Sequence, residues 1–144
     1  DARYWGFEGD LNARLATIGG WRINADVLGD YVRATVTGGG PIPRIPPLRV
    51  LGGLQAQNGA TTGRIEVEHV FAQDRLAAFE TETGAYTMVN ASLSLKPFGR
   101  DSATTLLLSA NNVFHVVARR HASVLKDFAP LAGRDLRATV RVNF

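Results

Sequence analysis

The chain has 144 residues, of which 45% are hydrophobic and 20% charged, with no cysteine and a formal net charge of +3. This composition argues against a disordered chain and excludes disulfide frameworks and thiolate sites. No apolar run approaches the roughly 18 residues of a membrane-spanning helix. The pI is near 9.8, but acidic and basic residues are interspersed, which argues against nucleic-acid binding.

The first segment, residues 3–15, alternates between two kinds of side chain with a period of two, the pattern of a β-strand with one apolar face. One side of the predicted strand carries Trp5, Phe7, Gly9, Leu11, Ala13 and Leu15. The other side carries Glu8, Asp10, Asn12 and Arg14. A strand of this kind lies at the boundary between an apolar and a wet environment.

Six further segments are predicted as strands, each close to the nine to eleven residues that cross a bilayer at a tilt. In chain order they are residues 21–36, 48–57, 61–71, 85–97, 104–111 and 136–144. The connections alternate in length. Residues 18–20, 58–60 and 98–102 are short, whereas residues 38–47, 74–84 and 112–135 are long. Short turns on one side and long loops on the other are typical of outer-membrane β-barrels, with the short turns periplasmic.

The polar sides of the predicted strands carry dense, mixed charge. On a lipid-facing surface each charge would cost roughly 2–4 kcal/mol at the bilayer midplane, so these residues must face a wet lumen if the sheet spans a membrane. The predicted lumen-facing residues are Glu8, Asp10, Asn12, Arg14, Arg22, Asn24, Asp26, Arg64, Glu66, Glu68, Arg137 and Arg141.

Aromatic residues lie near the predicted strand ends, where interfacial girdles of a barrel are found. They are Trp5, Phe7, Trp21, Tyr31, Phe71 and Phe144. The same residues could also cap a soluble core. The last strand, which alternates Leu136, Ala138, Val140, Val142 and Phe144 with polar residues, would run toward the periplasm and place Phe144 at the inner rim.

Several stretches resemble the C-terminal barrel of TonB-dependent outer-membrane receptors, and within that family the zinc-uptake branch that includes ZnuD. The residues that carry the resemblance are 5–8 (WGFE), 29–33 (GDYVR), 43–47 (PRIPP), 70–74 (VFAQD), 80–84 (ETETG), 86–90 (YTMVN), 111–114 (NNVF), 121–127, 129–134 (APLAGR) and Phe144.

The resemblance implies a 22-stranded barrel with a plugged lumen, of which residues 1–144 would be a C-terminal fragment. It implies uptake of a scarce nutrient, such as zinc or a metal chelate, and a location in the outer membrane of a Gram-negative bacterium. The implied partners are membrane lipid, the barrel-assembly machinery, which would read residues 136–144 as an insertion signal, and the TonB complex, engaged through a plug outside these residues. Seven strands would leave two bare edges, so copies of the fragment are expected to pair edge to edge.

Residues with chemical potential are few, and no catalytic residue or cofactor is predicted. Glu66 and Glu68 lie about 7 Å apart along one strand face, a spacing that a glycosidase pair could use, but ion pairing with Arg64 is the favoured interpretation. His115 and His121 share a long loop and are candidate zinc ligands. His69 has the parity of Ile65 and Val67, which favours an interfacial position.

The sequence therefore predicts an all-β fold, an antiparallel meander of about seven long strands that forms part of a larger outer-membrane barrel. The predicted role is transport rather than catalysis. The alternative is a small soluble β-barrel or sandwich that binds a ligand. An outer-membrane enzyme would need acid and base groups to converge on one face, and no such motif is present.

Overall fold

A computed structural model describes residues 1–144 as one antiparallel sheet in which each strand pairs with its sequence neighbours. The strands are β1 (Ala2–Ile18), β2 (Trp21–Val36), β3 (Arg49–Gln57), β4 (Thr61–Val70), β5 (Tyr86–Leu95), β6 (Thr104–Asn111) and β7 (Asp135–Val142). The predicted seven-stranded meander is confirmed. No helix with the length and hydropathy needed to cross a membrane is found. Because β1 and β7 do not pair with each other, the sheet is open at both edges.

The strand register joins the separate alternations into two continuous faces. Residues paired directly across antiparallel strands point to the same side of a sheet. One row across β1 to β5 consists of Leu11, Val27, Gly52, Val67 and Val89. The adjacent row consists of Asn12, Asp26, Gly53, Glu66 and Asn90. We call the two sides the apolar face and the polar face.

The apolar face has no protein layer over it. Only 10 of the 144 residues are buried, and large apolar side chains in the middle of strands are exposed, such as Ile65 at 56% and Leu54 at 50%. A soluble sandwich would bury this face against a second sheet, and the structure contains no second sheet. The fold therefore does not support the soluble-sandwich alternative.

The connections are sorted by length, as predicted. Residues 19–20, 58–60 and 96–103 form the short turns at one end of the sheet. Gly19 and Gly20 have φ values of 55° and 82°, and a two-residue type I′ turn requires positive φ at both positions. Residues 37–48, 71–85 and 112–134 form the long connections at the other end. We call these ends the short-turn end and the long-loop end.

The observed strand bounds differ from the predicted ones by up to three residues, and two differences affect where side chains lie. A β-bulge shifts the β1–β2 register between Arg14 and Ala16. Leu15 is therefore the extra residue of the bulge, and Ala16 takes the place in the apolar rows that alternation gave to Leu15. The last strand ends at Val142 rather than Phe144. The Asn143 N–H still donates to the Ala103 carbonyl at 3.0 Å, but the neighbouring strand begins at Thr104, so Phe144 has no partner strand to pair with.

Most predicted girdle aromatics lie at the long-loop end. Tyr31 contacts Trp5 and Phe7 with ring centroids 5.6 and 5.9 Å apart, and all three belong to apolar rows. Phe71 lies just beyond β4, edge-on to the His69 ring at 4.5 Å. Trp21 begins β2 at the short-turn end. Aromatic residues therefore mark both ends of the apolar face.

A small apolar cluster fixes the third long connection onto the polar face. Val70 and Tyr86 are paired at the long-loop ends of β4 and β5, and buried Ala118 packs with them. Met88, Val116 and Leu131 surround the cluster. Tyr86 and Met88 share parity with Asn90 and Ser92 and so belong to the polar face. Residues 112–134 thus fold inward over that face at its long-loop end.

Candidate functional site

The polar face has an arginine at its centre that joins two strands. Arg64 of β4 donates to both carboxylate oxygens of Asp26 at 2.5 and 2.8 Å and to Glu66 at 3.0 Å. Gly53 of β3 lies between them, and a Cβ at this position would stand 2.2 Å from an Arg64 nitrogen. The glycine leaves the space through which the guanidinium reaches Asp26 across the intervening strand. Bidentate arginine–carboxylate ion pairs of this kind are stronger than hydrogen bonds between neutral groups.

A second ion-pair group lies closer to the long-loop end. Arg49 of β3 donates to Asp30 at 2.7 Å and to Glu68 at 3.4 Å. Glu66 and Glu68 therefore pair with different arginines, Arg64 and Arg49. This arrangement agrees with the ion-pairing interpretation of the two glutamates.

All residues predicted to face a lumen belong to the polar rows. Glu8 pairs with Asp30, Arg14 with Asn24, and Arg64 with Ser92. On the last strands, Ser109 pairs with Arg137 and Thr105 with Arg141. The four apolar residues of the predicted insertion signal that lie within β7 occupy the opposite rows: Leu136, Ala138, Val140 and Val142. That the polar face borders a lumen stays a prediction.

Glu80 lies at the point where the three long connections meet. Its carboxylate is almost fully buried. It accepts hydrogen bonds from the backbone N–H of Arg44 at 2.7 Å and of Ala77 at 3.1 Å. It also lies 3.1 Å from His121 Nε2 and 3.8 Å from Lys126 Nζ. One carboxylate thus contacts residues 37–48, 71–85 and 112–134.

His121 is 2% exposed and packed among polar groups. Its Nδ1 lies 2.9 Å from the Thr83 hydroxyl and 3.3 Å from Lys126 Nζ. Its Nε2 is close to Glu80 but makes no well-directed hydrogen bond. Burial, and next the Lys126 ammonium, lower the pKa of His121 below its ordinary 6.5, against the opposing pull of Glu80.

The Glu80 carboxylate is held in its charged form. Burial alone would raise the pKa of Glu80. The backbone N–H groups of Ala77 and Arg44, with the charges of His121 and Lys126, outweigh burial and bring the pKa below its ordinary 4.5. Lys126 also donates to the Thr81 carbonyl, so it has partners besides Glu80.

Further contacts join the long connections in pairs. The Thr81 hydroxyl lies 2.7 Å from Asp127, between the second and third connections. The Gln73 side chain donates to the Ile45 carbonyl at 2.9 Å, between the second and the first. Arg75 donates to the Ala34 carbonyl and the Thr35 hydroxyl at the end of β2. The three connections form one hydrogen-bonded layer.

The candidate metal ligands are not gathered into a site. No group of three or more His, Asp, Glu or Cys side chains lies close enough together to hold a metal ion. His115 accepts from the backbone N–H of Arg134 at 3.1 Å, whereas His121 lies in the cluster around Glu80. The zinc-ligand role of the two histidines stays a prediction. His69 pairs with Thr87 in the apolar rows, as its parity predicted, and the Thr87 hydroxyl lies 2.7 Å from its ring.

Little in the sequence indicates the cluster around Glu80. The residues that bond across connections in this cluster are 36 to 46 positions apart along the chain. They lie in segments without periodicity. Lys126 is one of only two lysines in the chain, and the other, Lys96, directly follows β5. That scarcity was the one available signal, and it does not indicate a partner.

A single sheet with an uncovered apolar face, an ion-paired polar face and length-sorted connections has the architecture of an outer-membrane β-barrel wall. A solved structure shares it. The chain superposes on the copper transporter OprC with a TM-score of 0.81 and 19% sequence identity, over 99% of this chain and 24% of that chain. The chain thus spans about a quarter of the transporter's length. No family model matches the sequence.

Proposed function

We propose that these residues form part of the barrel wall and the extracellular loops of a TonB-dependent outer-membrane receptor that takes up a scarce metal ion or metal chelate. The observation that carries the proposal is the single sheet with one apolar and one charged face and no second layer. Such a sheet is stable only where lipid covers one face and a wet lumen borders the other.

The orientation follows from the connections. In outer-membrane barrels the short turns are periplasmic and the long loops extracellular. On this basis β7 runs toward the periplasm, and its apolar residues Leu136 and Val140 contact lipid. The open edges at β1 and β7 would pair with further strands of a larger barrel, or with another copy if no such strands are present.

The proposal that the nutrient is a metal rests on two similarities. Stretches of the sequence resemble zinc-uptake receptors, and the structural neighbour is described as a copper transporter. Both point to a metal, free or chelated, as the transported substrate. TonB would act through a plug outside these residues, and the barrel-assembly machinery would recognise the last strand.

Metal accumulation in cells tests the proposal. Cells that lack the gene are grown under metal limitation with or without the wild-type gene restored, and accumulation of zinc, copper and iron chelates is measured. We expect cells without the gene to accumulate less of at least one of these metals, and the wild-type gene to restore that accumulation. A protonophore should abolish the restored accumulation. Unchanged accumulation of all of them would contradict a role in metal uptake.

The two histidines are tested in the same assay. If they bind zinc, replacement of His115 and His121 by alanine lowers zinc accumulation while the amount of receptor in the outer membrane stays the same. Unchanged accumulation removes them as ligands and leaves the wider proposal intact.

A further inference from the structure

The three long connections can be treated as one unit, which we call the cap: residues 37–48, 71–85 and 112–134. The cap lies over the polar face at its long-loop end, because Ala118 of the third connection packs on Val70 and Tyr86. It therefore covers the end of the sheet through which a solute would approach the polar face from the long-loop side.

The contacts within the cap converge on Glu80. Its carboxylate holds the first connection through the Arg44 N–H at 2.7 Å and the third through the Lys126 ammonium, whose Nζ lies 3.8 Å away, with the His121 ring packed beside it. Displacing either connection would leave a buried carboxylate with fewer partners. Buried charges that lose a partner are strongly destabilising, so separation of one connection weakens the attachment of the others.

We propose that the cap opens and closes as one body, with Glu80 as the contact that couples its three connections. Access to the polar face at this end is then governed by one opening equilibrium rather than three independent loop motions. The coupling arises from contacts within residues 37–134 and does not depend on which solute the protein transports.

Hydrogen exchange of the full protein in detergent micelles tests the coupling. The variant Glu80→Gln keeps the size of the side chain and removes its charge. The matched control is Glu82→Gln, an exposed position in the same connection. We expect Glu80→Gln to raise exchange by at least about tenfold in all three connections, the size of effect that loss of a charge-assisted contact implies. Glu82→Gln should match the wild type.

The strand amides serve as an internal control. If amides of β3 to β5 exchange as in the wild type, the sheet is intact and the change belongs to the cap. A rise confined to residues 71–85 would overturn the proposal, as would unequal factors in the three connections.

A milder variant covers the case in which Glu80→Gln does not fold. Thr81→Val removes the hydroxyl that lies 2.7 Å from Asp127 at the exposed side of the cap. If the cap opens as one body, Thr81→Val raises amide exchange in residues 37–48 by the same factor as in the other two connections. The bond from the Thr81 hydroxyl goes to Asp127 and not to residues 37–48. An unchanged first connection in a folded Thr81→Val protein would refute the coupling. Metal accumulation is not measured here, so this test can fail without affecting the proposed function.

Discussion

Arg64 shows how a single residue holds several strands of an open sheet together. It bonds Asp26 on β2 from its place on β4 and passes over Gly53 of the strand between. Its second partner, Glu66, follows on its own strand at 3.0 Å. All three side chains are about one quarter exposed, so solvent screens the ion pairs only in part.

Removal of the Arg64 charge is expected to destabilise the sheet. The variant Arg64→Met keeps much of the side-chain length but leaves Asp26 and Glu66 unpaired, and we expect a loss of about 2 kcal/mol in the free energy of unfolding. Urea titration of the protein in detergent micelles measures it. Arg137→Met is the control, since Arg137 is 70% exposed beside Asp135 and such pairs contribute less than about 1 kcal/mol. Equal losses for both variants would contradict the assigned role of Arg64.

The strands and the cap differ in how far their sequences reveal them. The strands could be predicted because each has a local period of two, and the register then places Leu54 beside Ile65 and Gln55 beside Arg64. A bulge shifts the alternation by one residue, but only Ala16, Thr17 and Ile18 follow Leu15 in β1, and a run this short does not reveal the shift.

The cap could not be predicted because its order depends on contacts between distant residues. Glu80 and Lys126 lie in aperiodic segments, and only the folded chain brings them within 3.8 Å. His121 was identified as a candidate ligand from its residue type, whereas its burial and its neighbours Thr83 and Lys126 follow from the tertiary structure.

Acid is expected to loosen the cap. The pKa of His121 is lowered in the closed cap, so its contribution is complete above its ordinary value of 6.5 and declines as the pH falls below it. The pKa of Glu80 is also lowered, and its contribution is present above 4.5 and lost as the pH falls through the lower value of the closed state. Both groups therefore act in the same direction.

Exchange of the cap amides, corrected for intrinsic rates, measures this pH dependence. We expect constant protection between pH 8 and 7 and a decline that begins near pH 6.5. The variant His121→Gln should remove this upper step, whereas the control His69→Gln, at the apolar face, should retain it. A rise in protection as the pH falls from 7 to 5 would contradict the prediction that acid destabilises the closed cap.

At the scale of the whole molecule, the structure is a single open sheet that encloses no interior. Its apolar rows extend across all seven strands without a protein layer over them, while Arg64 and Arg49 form ion pairs on the opposite side. Both edges are open. A sheet with these properties needs lipid on one face and further strands at its edges, and this requirement connects the fold to the proposed function in the outer membrane.

The most direct test of this account is the accessibility of β5 to lipid. The chain has no cysteine, so single cysteines at Ala91, Ser92, Leu93 and Ser94 can each carry a fluorescent label in the protein reconstituted with brominated lipids. Ala91 and Leu93 belong to the apolar rows, and Ser92 and Ser94 to the polar rows. We expect strong quenching at 91 and 93 and little at 92 and 94. Equal quenching at all four positions, or none at any, would contradict a sheet that faces lipid on one side only.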